Sequence, residues 1–375
     1  MGGYAARKGN ATGTHDPLQA TVLVLENGGE KFAWITADLR SFVSTRVGDE
    51  VKRRFGIGHT VISVSHTHSG PLTWEARTPW YVEAEDKMIE AVGKAAGSME
   101  PVTLAAATAN VYIGFNRRKI SDDGVATMQW RNEAKLPSHP VDPEVTVLVA
   151  KRQSGEPLAV IVNYACHPSI LGPDNLEFSS DYPGQMRQAV EQAFPKALAL
   201  FVQGGAGDIN PYRDKEPVPG GFAAAHETGA ELAKAAIIAA NKAKPLTSGG
   251  AMKFASEVTE VANRWKPAEK ISIGWTAGVI GDVCMLALPG EPFVEHQLTF
   301  REKSECAVSI LAGYSYSAGG AWAGYLPTIL ASVEGGYGAG YNTTVAVGTG
   351  EMLINRGVVR LLQLRGLLKE LPDAW

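Results

Sequence analysis

The chain has 375 residues, of which 45% are hydrophobic and 20% charged, which is typical of a globular protein that buries a large core. Its net charge is −4 and its basic residues are scattered, which argues against nucleic acid and anionic membrane surfaces as partners. No apolar run approaches the roughly 20 residues that a membrane-spanning helix needs, so no membrane span is predicted.

The cysteines and the first residues of the chain bear on its cellular compartment. Cys166, Cys284 and Cys306 form no Cys-x-x-Cys pair and are odd in number, so a disulfide framework is not expected. Residues 1–18 are polar and rich in glycine, without the apolar core of a signal peptide. The expectation is a cytoplasmic protein, with export left open if the native N-terminus is longer.

The first half of the chain predicts alternating strands and helices. Residues 19–39 are predicted as two strands around an Asn-Gly-Gly turn, which is a hairpin signal. The other strand-like segments are 60–65, 102–118, 144–167, 197–211, 252–262, 271–291 and 306–316. Apolar residues at helical spacing occur in 45–57, 82–99, 182–194, 221–243 and 350–371. The prediction is one α/β domain over residues 1–375, with a mixed β-sheet core flanked by helices.

Polar residues that can ligate a metal follow several of the predicted strands. His66 and His68 come after "VISVS", and His167 comes after "LAVIVNYAC". Glu291 comes after "DVCMLALPG", and Tyr325 follows the last predicted strand and a glycine-rich loop. A polar group at the end of a buried strand needs a partner, and two histidines with one glutamate are a common catalytic zinc set. The pattern therefore indicates a zinc (Zn²⁺) site.

Each of these residues also has an ordinary structural interpretation. A single histidine at a strand end, such as His167, is more often a hydrogen-bonded structural residue. A tyrosine such as Tyr325 usually packs or makes one hydrogen bond. Residues i and i+2 of a strand face the same side, so His66 and His68 are predicted to enter one pocket, as two ligands or as a ligand beside a catalytic group.

The glycine loop in "FVQGGAGDINP" lacks the Gly-Lys-Ser/Thr ending of a P-loop and is predicted to bring backbone close to the site. Asp208 in this loop and Asp181 in "SSDYPG" are candidates for orienting metal-bound histidines. Both are equally candidates for turn and helix-capping roles, which are favoured for Asp181. Cys166 and His167 are neighbours on a strand and point to opposite faces, so they are not expected to act as nucleophile and base.

Six motifs together resemble the zinc-dependent catalytic domain of the neutral (non-lysosomal) ceramidase family. In chain order they are "SHTHSGP", "NYACHP", "SSDYPGQMRQAVE", "GGAGDINP", "LPGE" and "GYLP...EGGY". The resemblance runs from about Gly3 to the C-terminal helix and implies the fold of that domain. It implies that the zinc ligands are His66, His167, Glu291 and Tyr325.

The same resemblance implies roles for three further residues. His68 would contact the scissile carbonyl region rather than the metal. Arg117 of "FNRR" would lie near the substrate, and Tyr337, twelve positions after Tyr325, would complete the catalytic set.

The chain departs from the family pattern in two places. Eukaryotic members carry a serine, assigned as nucleophile, where this chain has Gln203, Gly204 and Gly205. Attack by metal-activated water is therefore expected instead of attack by serine. Compared with the full-length enzymes, the resemblance implies a short form without the C-terminal immunoglobulin-like domain, so the expected substrate is an N-acyl amide rather than ceramide in particular.

The expected function is zinc-dependent hydrolysis of a small-molecule N-acyl amide. Two alternatives stay open, namely a metallo-esterase or lactonase that uses the same site and a non-catalytic ligand-binding member of the family. Trp74, Trp80 and Trp322 are candidates for an acyl pocket, although tryptophans more often pack in a core. The sequence does not predict the oligomeric state.

Overall fold

The computed structural model describes residues 1–73, 78–138, 140–247 and 249–368. Trp74, one candidate for the acyl pocket, and residues 369–371 of the last predicted helix lie outside the described residues. Within the described part of the chain, mixed sheets are flanked by helices, so the predicted fold class is confirmed.

The long helices and strands lie in the segments where the sequence predicts them. The helices are α1 (Thr45–Phe55), α2 (Pro79–Gly97), α3 (Asp181–Ala193), α4 (Gly220–Lys242), α5 (Val294–Ser304), α6 (Ile329–Glu334) and α7 (Thr349–Leu364). The strands are β1 (Gly13–Thr14), β2 (Ala20–Asn27), β3 (Glu30–Ala37), β4 (His59–Val64), β5 (Val102–Asn110), β6 (Gly114–Asn116), β7 (Arg118–Ile120), β8 (Ala126–Met128), β9 (Glu144–Arg152), β10 (Pro157–Tyr164), β11 (Glu177–Phe178), β12 (Leu198–Gln203), β13 (Ile209–Pro211), β14 (Lys244–Pro245), β15 (Met252–Ala262), β16 (Lys270–Ile280), β17 (Val283–Ala287), β18 (Glu291–Pro292), β19 (Val308–Ala312), β20 (Ser315–Tyr316) and β21 (Tyr325–Leu326). None of the helices that the structure describes has both the length and the apolarity needed to cross a bilayer.

Three sheets make up most of the fold. A five-stranded sheet has the order β12-β10-β9-β5-β14, and two four-stranded sheets have the orders β2-β3-β4-β20 and β15-β16-β17-β19. Each contains a parallel pair, which is β10 with β12, β3 with β4, and β17 with β19 respectively. Ligand sites in α/β proteins gather at the carboxyl ends of parallel strands, and the segments that follow β4, β10 and β17 are those that carry the predicted ligands.

The three sheets share a core on their inner faces, and helices cover their outer faces. In β10, Ile161 packs in the shared core, whereas Val160 and Val162 pack against α3 and α4. Both faces of β10 are therefore buried, which explains its continuous apolar sequence. In the same way, α1 and α2 cover the sheet that contains β3, and α5 and α7 cover the sheet that contains β17.

The structure contains a disulfide that the sequence analysis did not anticipate. Cys284 in β17 is bonded to Cys306, which comes just before β19. These strands are parallel neighbours with Val283 opposite Val308. Their register brings the two cysteines, which are 22 positions apart in sequence, to a Cα–Cα distance of 5.9 Å, as a disulfide requires. The pairing depends on this long-range register, which the cysteine spacing alone does not reveal.

Candidate metal centre

The segments that follow β4, β10 and β17 meet at one buried point. β4 ends at Val64, and His66 then adopts a φ of 69°, which is uncommon for a residue other than glycine. His167 follows β10, and Glu291 begins β18. Because β18 pairs with β21 in the register Glu291 to Tyr325, four of the predicted residues lie together, although they are far apart along the chain.

The imidazoles of His66 and His167 are held so that both direct Nε2 toward Glu291. Nδ1 of His66 lies 2.5 Å from the Arg40 carbonyl oxygen, and Nδ1 of His167 lies 2.6 Å from the Ala206 carbonyl oxygen. A carbonyl oxygen only accepts, so each Nδ1 carries the proton and each Nε2 keeps a lone pair. Nε2 of His66 is 3.4 Å from Glu291 Oε2, and Nε2 of His167 is 3.3 Å from the same oxygen.

The electrostatics of these residues suit a cation. Burial lowers the pKa of His66 to about 3, so its imidazole is neutral at pH 7. Burial acts to raise the pKa of Glu291, but the imidazoles of His66 and His167 outweigh it and lower this pKa to about 2. A neutral His66 imidazole beside an ionised Glu291 carboxylate matches the protonation states in which these side chains bind a divalent metal.

His68 is a third histidine at the same point. Its ring centre is 5.1 Å from that of His66, and one nitrogen from each of His66, His68 and His167 lies within 4.8 Å of the others. The strand rule used in the sequence analysis does not explain this contact, because β4 ends at Val64. Both ring nitrogens of His68 are buried and have no hydrogen-bond partner among the described residues. Such atoms call for a partner from outside the protein, and a metal ion or a polar ligand fits them.

Arg117, Tyr325 and Tyr337 form the side of the site next to Glu291. Nη2 of Arg117 donates hydrogen bonds to the Gly207 carbonyl oxygen at 2.6 Å and to the Tyr325 hydroxyl at 3.3 Å. The Arg117 guanidinium lies 5.3 Å from the Tyr337 ring centre, and the rings of Tyr325 and Tyr337 are 5.5 Å apart. The structure therefore places these three residues side by side, while their roles in coordination and catalysis stay predictions.

The two aspartates considered as histidine partners make other contacts. Asp208 accepts hydrogen bonds from the Asn116 side chain at 2.7 Å and from the Val294 N–H at 2.9 Å. Asp181 accepts from the Leu171 N–H at 3.0 Å, which agrees with the alternative of a backbone-capping role. Burial raises the pKa of Asp208 to about 6 and that of Asp181 to about 7. In the described residues, the atoms that orient His66 and His167 are backbone carbonyls, so that interpretation of the aspartates is wrong.

Gln203, the last residue of β12, lies where eukaryotic family members carry a serine, and its side chain links the two histidine segments. Its Nε2 donates to the carbonyl oxygens of Ser65 at 3.2 Å and Cys166 at 2.8 Å. These residues immediately precede His66 and His167. The side chain is fully buried, so Gln203 holds the backbone of both histidine segments in position.

Gly204 has no room for a side chain. A Cβ atom there would overlap Oε1 of Gln297, and this oxygen is fixed because it accepts the Gly205 N–H at 2.6 Å. The loop is therefore built for glycine at this position.

The Gly204→Ser variant is expected to lose about 1–3 kcal/mol of unfolding free energy, as overpacking does, without gaining a reactive serine. Urea unfolding measures the loss, and a fluorophosphonate probe reports any nucleophilic hydroxyl. Gly220→Ser is the matched control, because a Cβ at Gly220 meets nothing within 4 Å and should change stability by less than about 0.5 kcal/mol. Equal stability of the two variants, or labelling of Gly204→Ser, would show that the loop accommodates the side chain.

The sequence analysis missed Tyr314, which lies against the histidines. Its ring centre is 4.6 Å from that of His66 and 6.0 Å from that of His167. Tyr314 adopts a φ of 54° between β19 and β20, and this backbone turn directs its ring into the site. Nothing in "LAGYSY" marks Tyr314 rather than Tyr316 for that position.

The two described tryptophans proposed for an acyl pocket differ in position. Trp80 belongs to α2 and is partly buried, with its ring edge-on to that of Tyr81 at 5.4 Å. The ring of Trp322 lies 6.2 Å from that of Tyr314, which in turn contacts His66. Trp322 is therefore the better placed of the two to contact a substrate.

Fold and site together define an α/β protein in which strand ends deliver three histidines and a glutamate to one buried centre. The fold is that of neutral ceramidases, which confirms the predicted resemblance at the level of structure. A ceramidase complexed with C2 superposes with a TM-score of 0.78 and 16% identity, over 100% of this chain and 75% of that one. The neutral ceramidase from Pseudomonas aeruginosa superposes with a TM-score of 0.76 and 16% identity, over 97% of this chain and 71% of that one. No family model and no curated protein matches the sequence.

Proposed function

We propose that the protein is a zinc-dependent hydrolase that cleaves N-acyl amide bonds, a ceramidase-like amidase. The observation that carries this proposal is the convergence of Nε2 of His66 and Nε2 of His167 on one carboxylate oxygen of Glu291, at 3.4 and 3.3 Å. The shared fold with two ceramidases supports it.

The residues proposed to hold the zinc ion are His66, His167, Glu291 and Tyr325. A zinc ion bound there supplies Lewis-acid chemistry, since it polarises a carbonyl group and lowers the pKa of water to about 7. The protein contributes the fixed orientation of the two imidazoles, through the carbonyl oxygens of Arg40 and Ala206.

His68 is the residue best placed to move protons. Burial lowers its pKa, so the neutral ring offers one lone pair and one N–H. Amide hydrolysis must take a proton from the attacking water and deliver one to the leaving nitrogen. The lone pair of His68 accepts the first proton, and the imidazolium that results donates a proton to the amine as the carbon–nitrogen bond breaks.

Arg117 and Tyr337 would act on the substrate carbonyl or on a neighbouring polar group. Arg117 is buried and held by its bonds to the Gly207 carbonyl oxygen and the Tyr325 hydroxyl. A donor held in place before negative charge develops on the carbonyl oxygen contributes about 3–4 kcal/mol to the transition state. The side next to Glu291 is thus the proposed oxyanion side of the site.

Removal of the metal with a chelator is expected to abolish hydrolysis of N-acyl amides, and added zinc is expected to restore it. The zinc content of the purified protein and its turnover on N-acyl substrates of graded chain length check this expectation. Undiminished turnover by the metal-free protein would contradict the proposed mechanism.

Matched amide and ester substrates test which bond is cleaved. Each amide is paired with an ester that carries the same acyl chain. If the amidase proposal holds, the amide of every such pair is hydrolysed, whether or not its ester is also cleaved. Cleavage of esters or lactones alone would favour the metallo-esterase alternative. Protein that holds no zinc and cleaves neither bond would favour the ligand-binding alternative.

A further inference from the structure

Tyr314 is buried at the metal centre without a role in the proposed mechanism. Its side chain is 0% exposed, and its ring lies 4.6 Å from the ring of His66 and 6.0 Å from that of His167. The ring of Trp322 lies 6.2 Å from the Tyr314 ring. The phenol therefore approaches the site next to two of the proposed zinc ligands.

The backbone of Tyr314 is held in a conformation that large side chains avoid. Its φ is 54°, which is a genuine outlier for a bulky residue. The Tyr314 N–H donates to the Gly290 carbonyl oxygen at 2.8 Å, and the Tyr314 carbonyl oxygen accepts from the Val64 N–H at 3.0 Å. Gly290 directly precedes Glu291, and Val64 lies two residues before His66. Strain of this kind persists where surrounding structure enforces it, and it clusters at functional sites.

The hydroxyl of Tyr314 is the unusual feature. It is buried and has no hydrogen-bond partner among the described residues. By contrast, the buried hydroxyls of Tyr164 and Tyr182 donate to backbone carbonyl oxygens, at 2.9 and 2.5 Å. A buried hydroxyl without an acceptor is costly, and phenylalanine would fill the same space without that cost. The hydroxyl therefore indicates an acceptor that comes from outside the protein.

The chemistry of that acceptor follows from the donor. A phenol hydroxyl carries one proton, which it donates to an oxygen acceptor. The proposed zinc ligands around it direct their lone pairs toward the metal position, so they do not compete for this proton. A carbonyl oxygen of a bound ligand is the group that meets both requirements.

We propose that the Tyr314 hydroxyl donates a hydrogen bond to the carbonyl oxygen of the substrate at this centre, as an oxyanion-stabilising group additional to Arg117 and Tyr337. The identity of the oxygen as that of an N-acyl amide rests on the proposed function. The position of the hydroxyl and its lack of an acceptor are observations that do not depend on the proposed function.

The test compares Tyr314→Phe with the control Tyr316→Phe in zinc-loaded protein. The hydroxyl of Tyr316 donates to the Gly320 carbonyl oxygen at 3.2 Å, so this control removes a nearby hydroxyl that already has an acceptor. Three quantities are measured, namely zinc affinity by chelator competition, acetohydroxamate affinity by calorimetry, and kcat/KM on an N-acyl amide. Acetohydroxamate supplies a carbonyl oxygen and reports on the hydroxyl without turnover.

Tyr314→Phe is expected to keep zinc affinity within about twofold, to weaken acetohydroxamate about tenfold, as loss of one hydrogen bond does, and to lower kcat/KM by about 10²-fold. Its melting temperature without ligand should equal or exceed that of the parent protein, because an unpaired hydroxyl has been removed. Tyr316→Phe should leave both affinities unchanged.

Two results would overturn the inference. Unchanged acetohydroxamate affinity would show that the hydroxyl does not contact the ligand oxygen. A tenfold or larger loss of zinc affinity would make Tyr314 a metal ligand instead of a donor to substrate. If the parent protein cleaves no amide yet Tyr314→Phe still weakens acetohydroxamate, the proposed function fails and the role of Tyr314 stands.

Discussion

Replacing His167 with alanine is expected to remove zinc from the protein and to lower kcat/KM on N-acyl amides by more than about 10³-fold, since even losing the partner of a ligand costs about 10–100-fold. His167 is buried, and its Nε2 is one of the two imidazole nitrogens directed at Glu291. On the proposed ligand set, its loss would leave the zinc ion one protein ligand short at a buried position. Metal analysis of the purified variant and steady-state kinetics measure both effects.

Two further variants complete this experiment. His66→Ala should behave as His167→Ala does, because the two imidazoles have equivalent positions about Glu291. His226→Ala removes an exposed imidazole from α4 and should leave zinc content and turnover unchanged. A protein that retains its metal and its full activity without His66 or His167 would disprove the proposed centre.

Replacing Asp38 with alanine is expected to lower the free energy of unfolding by about 3–5 kcal/mol, as removal of one partner from a buried ion pair does. Asp38 follows β3 and pairs with Arg187 of α3, and their side chains are 3% and 6% exposed. The variant leaves the guanidinium buried without a counter-charge, and the Gln19 N–H loses its acceptor at 3.0 Å. Urea unfolding followed by circular dichroism measures the change.

Asp86→Ala is the matched control for the ion pair. Asp86 pairs with Arg46 at 2.6 Å, but its side chain is 51% exposed, and exposed pairs contribute about 0–1 kcal/mol. The two aspartates thus differ mainly in burial. If both variants lose the same small amount of unfolding free energy, burial does not make the Asp38–Arg187 pair more important for stability than the exposed pair.

The long elements are predictable because their signals are local. β2 ends at Asn27 and β3 begins at Glu30, so the predicted hairpin turns at Gly28 and Gly29, whose φ values are 61° and 88°. α2 begins at Pro79, a few residues before the predicted start, because proline is favoured in a first helical turn. The two-residue strands have no such signal, since they exist only through pairing with distant partners.

The site is predictable only where it depends on strand ends. His66, His167 and Glu291 are polar residues at the ends of apolar runs, which a linear sequence displays. Tyr314 is placed by a positive φ and by contacts from two other segments. A linear sequence displays neither of these features. The disulfide between Cys284 and Cys306 is not predictable for the same reason, because it depends on the register of β17 and β19, which pair only in the folded molecule.

Hydrogen bonds to main-chain atoms fix which nitrogen of each imidazole carries the proton and which keeps its lone pair. The acceptors are the carbonyl oxygens of Arg40 and Ala206, and every amino acid possesses such an oxygen. Substitution at either position therefore preserves the tautomer as long as the chain keeps its path. A chain with this backbone can therefore exchange the side chains at both positions and still keep two nitrogen lone pairs directed at the Glu291 carboxylate.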